Sequence, residues 1–402
     1  MKTYRELFAI AEFRVLFAAM CLNVGSFAVA SLALGTITYA ATGSPILTAL
    51  SIFGAPLLRV VGQAFFGSGS DLVRPRLALV LTASITMVAD LVQAVPGLPW
   101  GWRFVLLGLP PLITSALGGS LIALMADIVP TDAFILGRAT INIAVGVMQI
   151  VGFGAAGLLL LHFSTAELFL GSAAALAISV VTVRLGLSDH PPRASGGGVV
   201  RRSREVNRRL LGSPVLRPVF LTLWVPNGLI VGCEALYVPF AGDRAGYLFA
   251  ASAAGMLLGD VTVGRFVPVA LRDRLIGPLR MLLALPYLAF VFVPALPLAG
   301  VIAFVASVGY AASLPLQERL IDHTEGQVRG QVFGLNSTGL MVGQGLGALL
   351  GGTVASMLGV GVTAAAHAMV VMAIASLTVS VAVTRSLRRS RPSVEVVMRP
   401  PS

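Results

Sequence analysis

The sequence predicts an all-α polytopic membrane protein with twelve transmembrane helices in two pseudo-symmetric six-helix bundles. Composition is the first observation behind this. Of 402 residues, 56% are hydrophobic and only 11% charged, with a mean hydropathy of +0.91, whereas a soluble domain needs about a quarter of its residues charged to cover its surface. The second is charge spacing. No Asp, Glu, Lys or Arg falls between Arg14 and Arg59, Arg280 and Glu318, or Arg329 and Arg385, leaving uncharged runs of 44, 37 and 55 residues. The third is a repeat relating the two halves of the chain, set out below.

A spanning helix needs about 20 residues, so each uncharged run holds two helices and one uncharged turn. The turns fall at Thr42-Gly43-Ser44-Pro45, near Pro294 to Pro297, and around Gly359 to Gly361. In order, spans 1 and 2 (15–38 and 46–69) share the first run. Span 3 (77–95) follows the charged turn ending at Arg76, and span 4 (103–126) begins at Arg103. Span 5 (140–162) follows Arg138, and span 6 (167–186) closes around Arg184. Spans 7 to 12 occupy 218–240, 247–266, 276–294, 297–316, 333–356 and 360–383. Glu6 and Glu12 spoil the positive n-region that a cleavable signal would need, so the first apolar stretch is read as a span.

A net charge of +11 would suggest a nucleic-acid binder in a soluble chain. Here 25 of the 28 Lys and Arg lie in the tails or the even-numbered connections, Arg103 and Arg244 lie on the other side, and Arg59 sits within a span. That asymmetry places both termini in the cytoplasm of a cell carrying the protein in its plasma membrane. The stretch Val199 to Leu211, with Arg201, Arg202, Arg204, Arg208 and Arg209, reads as a basic segment against anionic lipid headgroups. Cys21 and Cys233 both fall inside spans and read as packing residues, with no disulfide or metal role.

The connection 188–215, rich in Pro, Gly, Ser and Arg, divides the chain into an N-terminal six-helix bundle (1–187), a cytoplasmic basic linker (188–215), and a C-terminal six-helix bundle with a cytoplasmic tail (216–402). Sliding the sequence by 193 residues superposes 114–155 on 307–348 with ten identities, among them Ser120 on Ser313, Gly137 on Gly330, Gly146 on Gly339 and Gly152 on Gly345. The matched stretch pairs spans 4 and 5 with spans 10 and 11. Six plus six spans in the same order is a parallel duplication.

After span 2 the chain reads Gly67-Ser68-Gly69-Ser70-Asp71-Leu72-Val73-Arg74-Pro75-Arg76. With that turn and the twelve-span duplication, the chain resembles the major facilitator superfamily of transporters over essentially its whole length. The family's signature at this turn is Gly-x-x-x-Asp-basic-x-Gly-basic-basic. Gly67, Asp71 and Arg76 fit it, while Leu72, Arg74 and Pro75 depart from it. The resemblance implies that this gating motif, through Asp71, helps latch the two halves on the cytoplasmic side. A solvated turn with ordinary helix-end charges is the alternative. The Arg of span 4 and the Gly-Pro pair of span 5 found in many proton-coupled antiporters of that family are absent here. The glycines of spans 5 and 11, including Gly146, Gly152, Gly343, Gly347 and Gly351, suit close helix packing, with or without sliding.

Ionisable groups inside a span point to function because each is costly in lipid. Glu234 lies deep in span 7 with Asn227 one heptad before it and Tyr237 one turn after, a polar face suited to a wet cavity. It reads as a substrate-binding or proton-carrying group, the alternative being a carboxyl that reaches the outer interface. Arg59 stands eight residues before Gly67, about 12 Å up a helix, as a cavity residue or the structural partner of an acid. Asp90 and Asp260 read as structural. Ser307, Tyr310, Ser313 and Gln317 form a polar stripe on span 10, and Asn23 and Ser26 add to it from span 1. The resemblance places spans 1, 4, 7 and 10 on a central cavity, and so places these residues where a substrate would sit.

No Walker or dinucleotide-binding glycine pattern follows a strand, His162, His190, His323 and His367 make no spaced metal motif, and no Gly-x-Ser-x-Gly elbow is present, so no enzyme, cofactor or metal is expected. The expected function is secondary active transport of a small, partly apolar molecule by alternating access, as proton-coupled efflux by an antiporter. The alternatives are uptake or facilitated diffusion, or a transport-inactive sensor of the same fold. Expected partners are the small-molecule substrate, protons and membrane lipids, without nucleic acid, for a protein acting as a monomer.

Overall fold

In a bilayer core no water meets the backbone N–H and C=O groups, so an apolar chain of this kind must satisfy them within its own helices. The computed structural model of the chain describes residues 4–66, 73–115, 117, 120–130, 134–190, 198–324 and 329–389. Its α-helices are α1 (Tyr4–Ala9), α2 (Ala11–Thr42), α3 (Pro45–Phe66), α4 (Pro75–Gln93), α5 (Trp100–Ser115), α6 (Ser120–Ile128), α7 (Phe134–Leu159), α8 (Thr165–Gly186) and α9 (Gly198–Gly212). They continue with α10 (Leu216–Glu234), α11 (Tyr237–Ala241), α12 (Ala245–Val261), α13 (Val269–Ala284), α14 (Leu296–Val308), α15 (Ser313–Asp322), α16 (Arg329–Leu358) and α17 (Val362–Arg389). Among the described residues there is no strand.

Ten stretches of the described residues are long and apolar enough to cross a membrane. One of them, Leu216–Phe266, runs for 51 residues and contains the expected spans 7 and 8. The expected span 4 is divided between α5 and α6. Over its described residues each of the twelve expected segments is therefore mainly helical, and the chain is an all-α, multi-pass membrane protein.

The three uncharged turns fall where their residues suit a chain reversal. α2 ends at Thr42, Gly43 takes φ 61°, and Pro45 opens α3 with its fixed φ already helical. Gly359 and Gly361, at φ 123° and 95°, separate α16 from α17. Val293 turns the chain into α14 with φ 47°.

Several spans are less regular than their apolar runs suggest. Span 7 breaks at Ala235 and Leu236, between α10 and α11, because Pro239 has no N–H to give to the carbonyl four residues back. Span 9 passes from α13 into a 3₁₀ segment, Leu285–Phe292, and span 10 is interrupted by another, Gly309–Ala312. The basic connection is helical from Gly198 to Gly212. On α9, Leu210 is buried with Leu216 and Phe220, and Val206 packs beside them. Asn207 accepts a bond from Gln331 Nε2 at 2.8 Å, while Arg208 and Arg209 stay exposed.

The chain divides into two units, one made of Met1–Leu34 and Gly54–Val200, the other of Gly35–Phe53 and Arg201–Ser402. In the first, Phe13, Leu16 and Met20 of α2 pack with Leu124, Met125, Ile141 and Val183. Ser172 of α8 donates to Asp90 Oδ2 of α4 at 2.6 Å, so that buried acid is a tie between two helices.

In the second unit α10 and α16 meet along glycines. A side chain at Gly347 would run into the Gly228 carbonyl, and one at Gly351 into the Gly232 carbonyl, so the two backbones touch directly. The turn between α2 and α3 belongs to this unit. Thr38 and Ser51 bond each other at 3.0 Å, Tyr39 donates to the Pro239 carbonyl at 3.2 Å, and Ala49 packs with Val231, Ala235 and Ala348.

Candidate functional site

A helix places residues seven apart on one face, and on α10 that face carries Asn227 and Glu234, both buried. Glu234 is the last residue of α10, next to the break that Pro239 imposes. Its Oε1 accepts a hydrogen bond from Tyr310 at 3.1 Å. Tyr310 lies on the 3₁₀ segment 309–312, held there because Gly309 presses against the backbone of α13. Any side chain at Gly309 would meet the Leu279 carbonyl and the Leu283 nitrogen, each at 2.5 Å.

Two turns below Glu234, Asn227 joins the same three helices. Its Nδ2 donates to Ser313 Oγ at 3.4 Å, and its Oδ1 accepts from Arg280 Nη1 of α13. Arg280 is wholly buried. The result is a polar column between α10, α13 and the 309–313 segment, with a carboxylate at one end and a guanidinium at the other.

Tyr237 goes elsewhere. Because the helix breaks after Glu234, Tyr237 does not continue its face; its hydroxyl bonds Ser252 at 2.8 Å and Tyr287 at 2.5 Å in a fully buried network. The expected stripe on span 10 is likewise divided, since the 3₁₀ segment changes the helical phase. Ser307 packs toward Gly255 of α12, Tyr310 and Ser313 face α10, and Gln317 lies partly buried on α15.

In the first unit, Asn23 donates to the Ala19 carbonyl at 2.7 Å and to Ser179 Oγ at 2.9 Å. Ser26 bonds the Ser172 carbonyl at 3.3 Å. Arg59 is exposed on α3. Gly67 and Asp71 lie outside the described residues. Arg74 pairs with Asp189, and Arg76 Nη2 donates to the Arg184 carbonyl at 2.7 Å, so both arginines serve the C-terminal end of α8. Among the described residues no three His, Cys, Asp or Glu side chains are grouped to hold a metal ion.

Arg280 is what the sequence reading missed. It stands at the start of the uncharged run that ends at Glu318, where it looks like a boundary charge, yet it lies inside the expected span 276–294, where an arginine needs a reason. Arg103, which the sequence places on the outer side of the membrane, is buried in the protein. It donates to the Gln93 backbone carbonyl at 3.0 Å and to Gln93 Oε1 at 3.1 Å, tying α5 to α4.

Solved structures share this fold. A bacterial homolog of the human lysosomal transporter Spinster, inward-facing and occupied, superposes with a TM-score of 0.66 at 15% identity, covering 98% of this chain and 99% of that one. Its unoccupied form gives 0.65 at 13%, covering 95% and 99%. A POT family transporter in complex with a thioalcohol-conjugated peptide gives 0.67 at 11%, covering 94% and 96%. No family model and no curated protein matches the chain. The chain thus shares its fold with these solved membrane transporters.

Proposed function

We propose that the chain is a secondary active transporter that exports a small, partly apolar molecule across the plasma membrane by alternating access, in exchange for protons. Glu234 is the proton-carrying carboxyl in this reading. The supporting observation is its position: a buried carboxylate on a long apolar helix, at a helix break, bonded by Tyr310 and two turns from Asn227. Desolvation disfavours the charged form of any carboxyl group, which suits such a residue to gain and lose a proton during a transport cycle. The POT family transporter in complex with a thioalcohol-conjugated peptide supports a small organic substrate by analogy of fold alone.

The test is Glu234→Gln, which keeps shape and hydrogen bonding but removes the titrating group. In inside-out vesicles the variant should lose substrate accumulation driven by a pH gradient while still exchanging labelled for unlabelled substrate. If it still concentrates substrate with the wild-type pH dependence, Glu234 is not the coupling residue.

A further inference from the structure

Among the described residues Arg280 is the bulkiest fully buried side chain, and it is only partly engaged. Nη1 donates to Asn227 Oδ1, whereas Nε and Nη2 have no hydrogen-bond partner. Those two nitrogens form one edge of the guanidinium, the edge that takes a carboxylate with two parallel bonds. The same protein shows that edge filled elsewhere. Arg319 Nε and Nη2 bind Asp273 Oδ1 and Oδ2, both at 2.6 Å.

A guanidinium buried in an apolar bundle is costly unless an anion completes it. Glu234, the acid of the same column, bonds Tyr310, and it sits a heptad along α10 from the residue that anchors Arg280, about 10 Å away. The sequence around Arg280 offers no acid within one helical turn, its neighbours being Pro278, Leu279, Met281 and Leu282.

We propose that the free Nε/Nη2 edge of Arg280 is an oxyanion site that receives the carboxylate of a small organic substrate. This rests on the transporter reading and narrows it, because the transported molecule is then a partly apolar carboxylate. Asn227 holds the guanidinium in place through Nη1 and leaves the carboxylate-binding edge for the ligand.

The experiment follows thermal unfolding of the full chain in lipid nanodiscs at constant ionic strength, with sodium acetate, hexanoate or benzoate as probes. Benzamide is the neutral counterpart of benzoate, and sodium chloride is the salt control. At least one carboxylate should raise the wild-type Tm saturably, by about 2 °C or more, while benzamide and chloride do not. Arg280→Lys keeps the charge but cannot present two parallel donors, and it should lose the shift, whereas Arg319→Lys should keep it. No carboxylate shift in the wild type, or an equal shift in Arg280→Lys, overturns the proposal. A shift that emerges only in Glu234→Gln also overturns it, since the chain's own carboxylate would then fill the edge. Vesicle transport separates this site from the coupling reading: a carboxylate shift without proton-driven accumulation keeps the site and sinks the coupling, and accumulation without a shift does the reverse.

Discussion

Two tyrosines within the same helical unit show how a side chain's role follows from what it touches. Tyr310 gives its hydroxyl to Glu234, while Tyr237, only three residues from that acid in sequence, gives its own to Ser252 and Tyr287. We predict that Tyr237→Phe lowers stability by about 1–2 kcal/mol through its lost hydrogen bonds and leaves transport intact. Tyr310→Phe should change the pH dependence of transport while unfolding near the wild-type temperature. Thermal melts and transport across a pH series on both variants decide this, and a Tyr237→Phe protein that folds normally but does not transport would refute it. Asn227, Glu234 and Tyr310 were legible in the sequence because polar groups in apolar runs stand out. Arg280 and Arg103 were harder to read, because a charge at the edge of a run looks like a boundary until burial shows otherwise.

At the scale of elements, helix breaks and glycine contacts set the column. The 309–312 segment puts Tyr310 and Ser313 on the α10 side and Ser307 on the α12 side, which a continuous helical wheel through span 10 does not reproduce. Glycines were expected to pack closely in both span 5 and span 11, and Gly152 of α7 does so against Ala28 and Gly25 of α2, but individual positions differ. Gly347 meets the Gly228 backbone, whereas a side chain at Gly146 of α7 would meet nothing within 4 Å. Gly347→Ala should therefore destabilise the protein by about 1–3 kcal/mol through overpacking against backbone, and Gly146→Ala should be neutral or stabilising. Detergent melts of the two variants provide the measurement, and equal effects would show that the α10–α16 contact is not as tight as described.

For the whole molecule, the charge pattern predicts orientation. Single cysteines near Gly43, Leu296 and Gly359 should react with a membrane-impermeant maleimide from outside intact cells, and ones near Arg76, Arg204 and Arg389 should not. Reversed labelling would overturn the cytoplasmic placement of both termini. The grouping of contacts follows a different logic from the sequence midpoint. Residues 35–53, from spans 1 and 2, belong with the second unit through Tyr39, Ala49 and their partners on α10, α11 and α16.

Sequence alone determined the class of fold, the twelve helical segments and their uncharged turns, because backbone satisfaction in lipid and the length of a span are local constraints that composition exposes. It also marked Glu234 as the acid to examine. Only the tertiary structure decided which polar residues meet. Pro239 turns Tyr237 away from Glu234, Gly309 brings the 309–312 segment against α13, and Arg280 keeps two donors free in a wholly buried place. Those outcomes depend on helix breaks and on contacts between residues 46 to 86 positions apart in the chain, where periodicity within one helix carries no information.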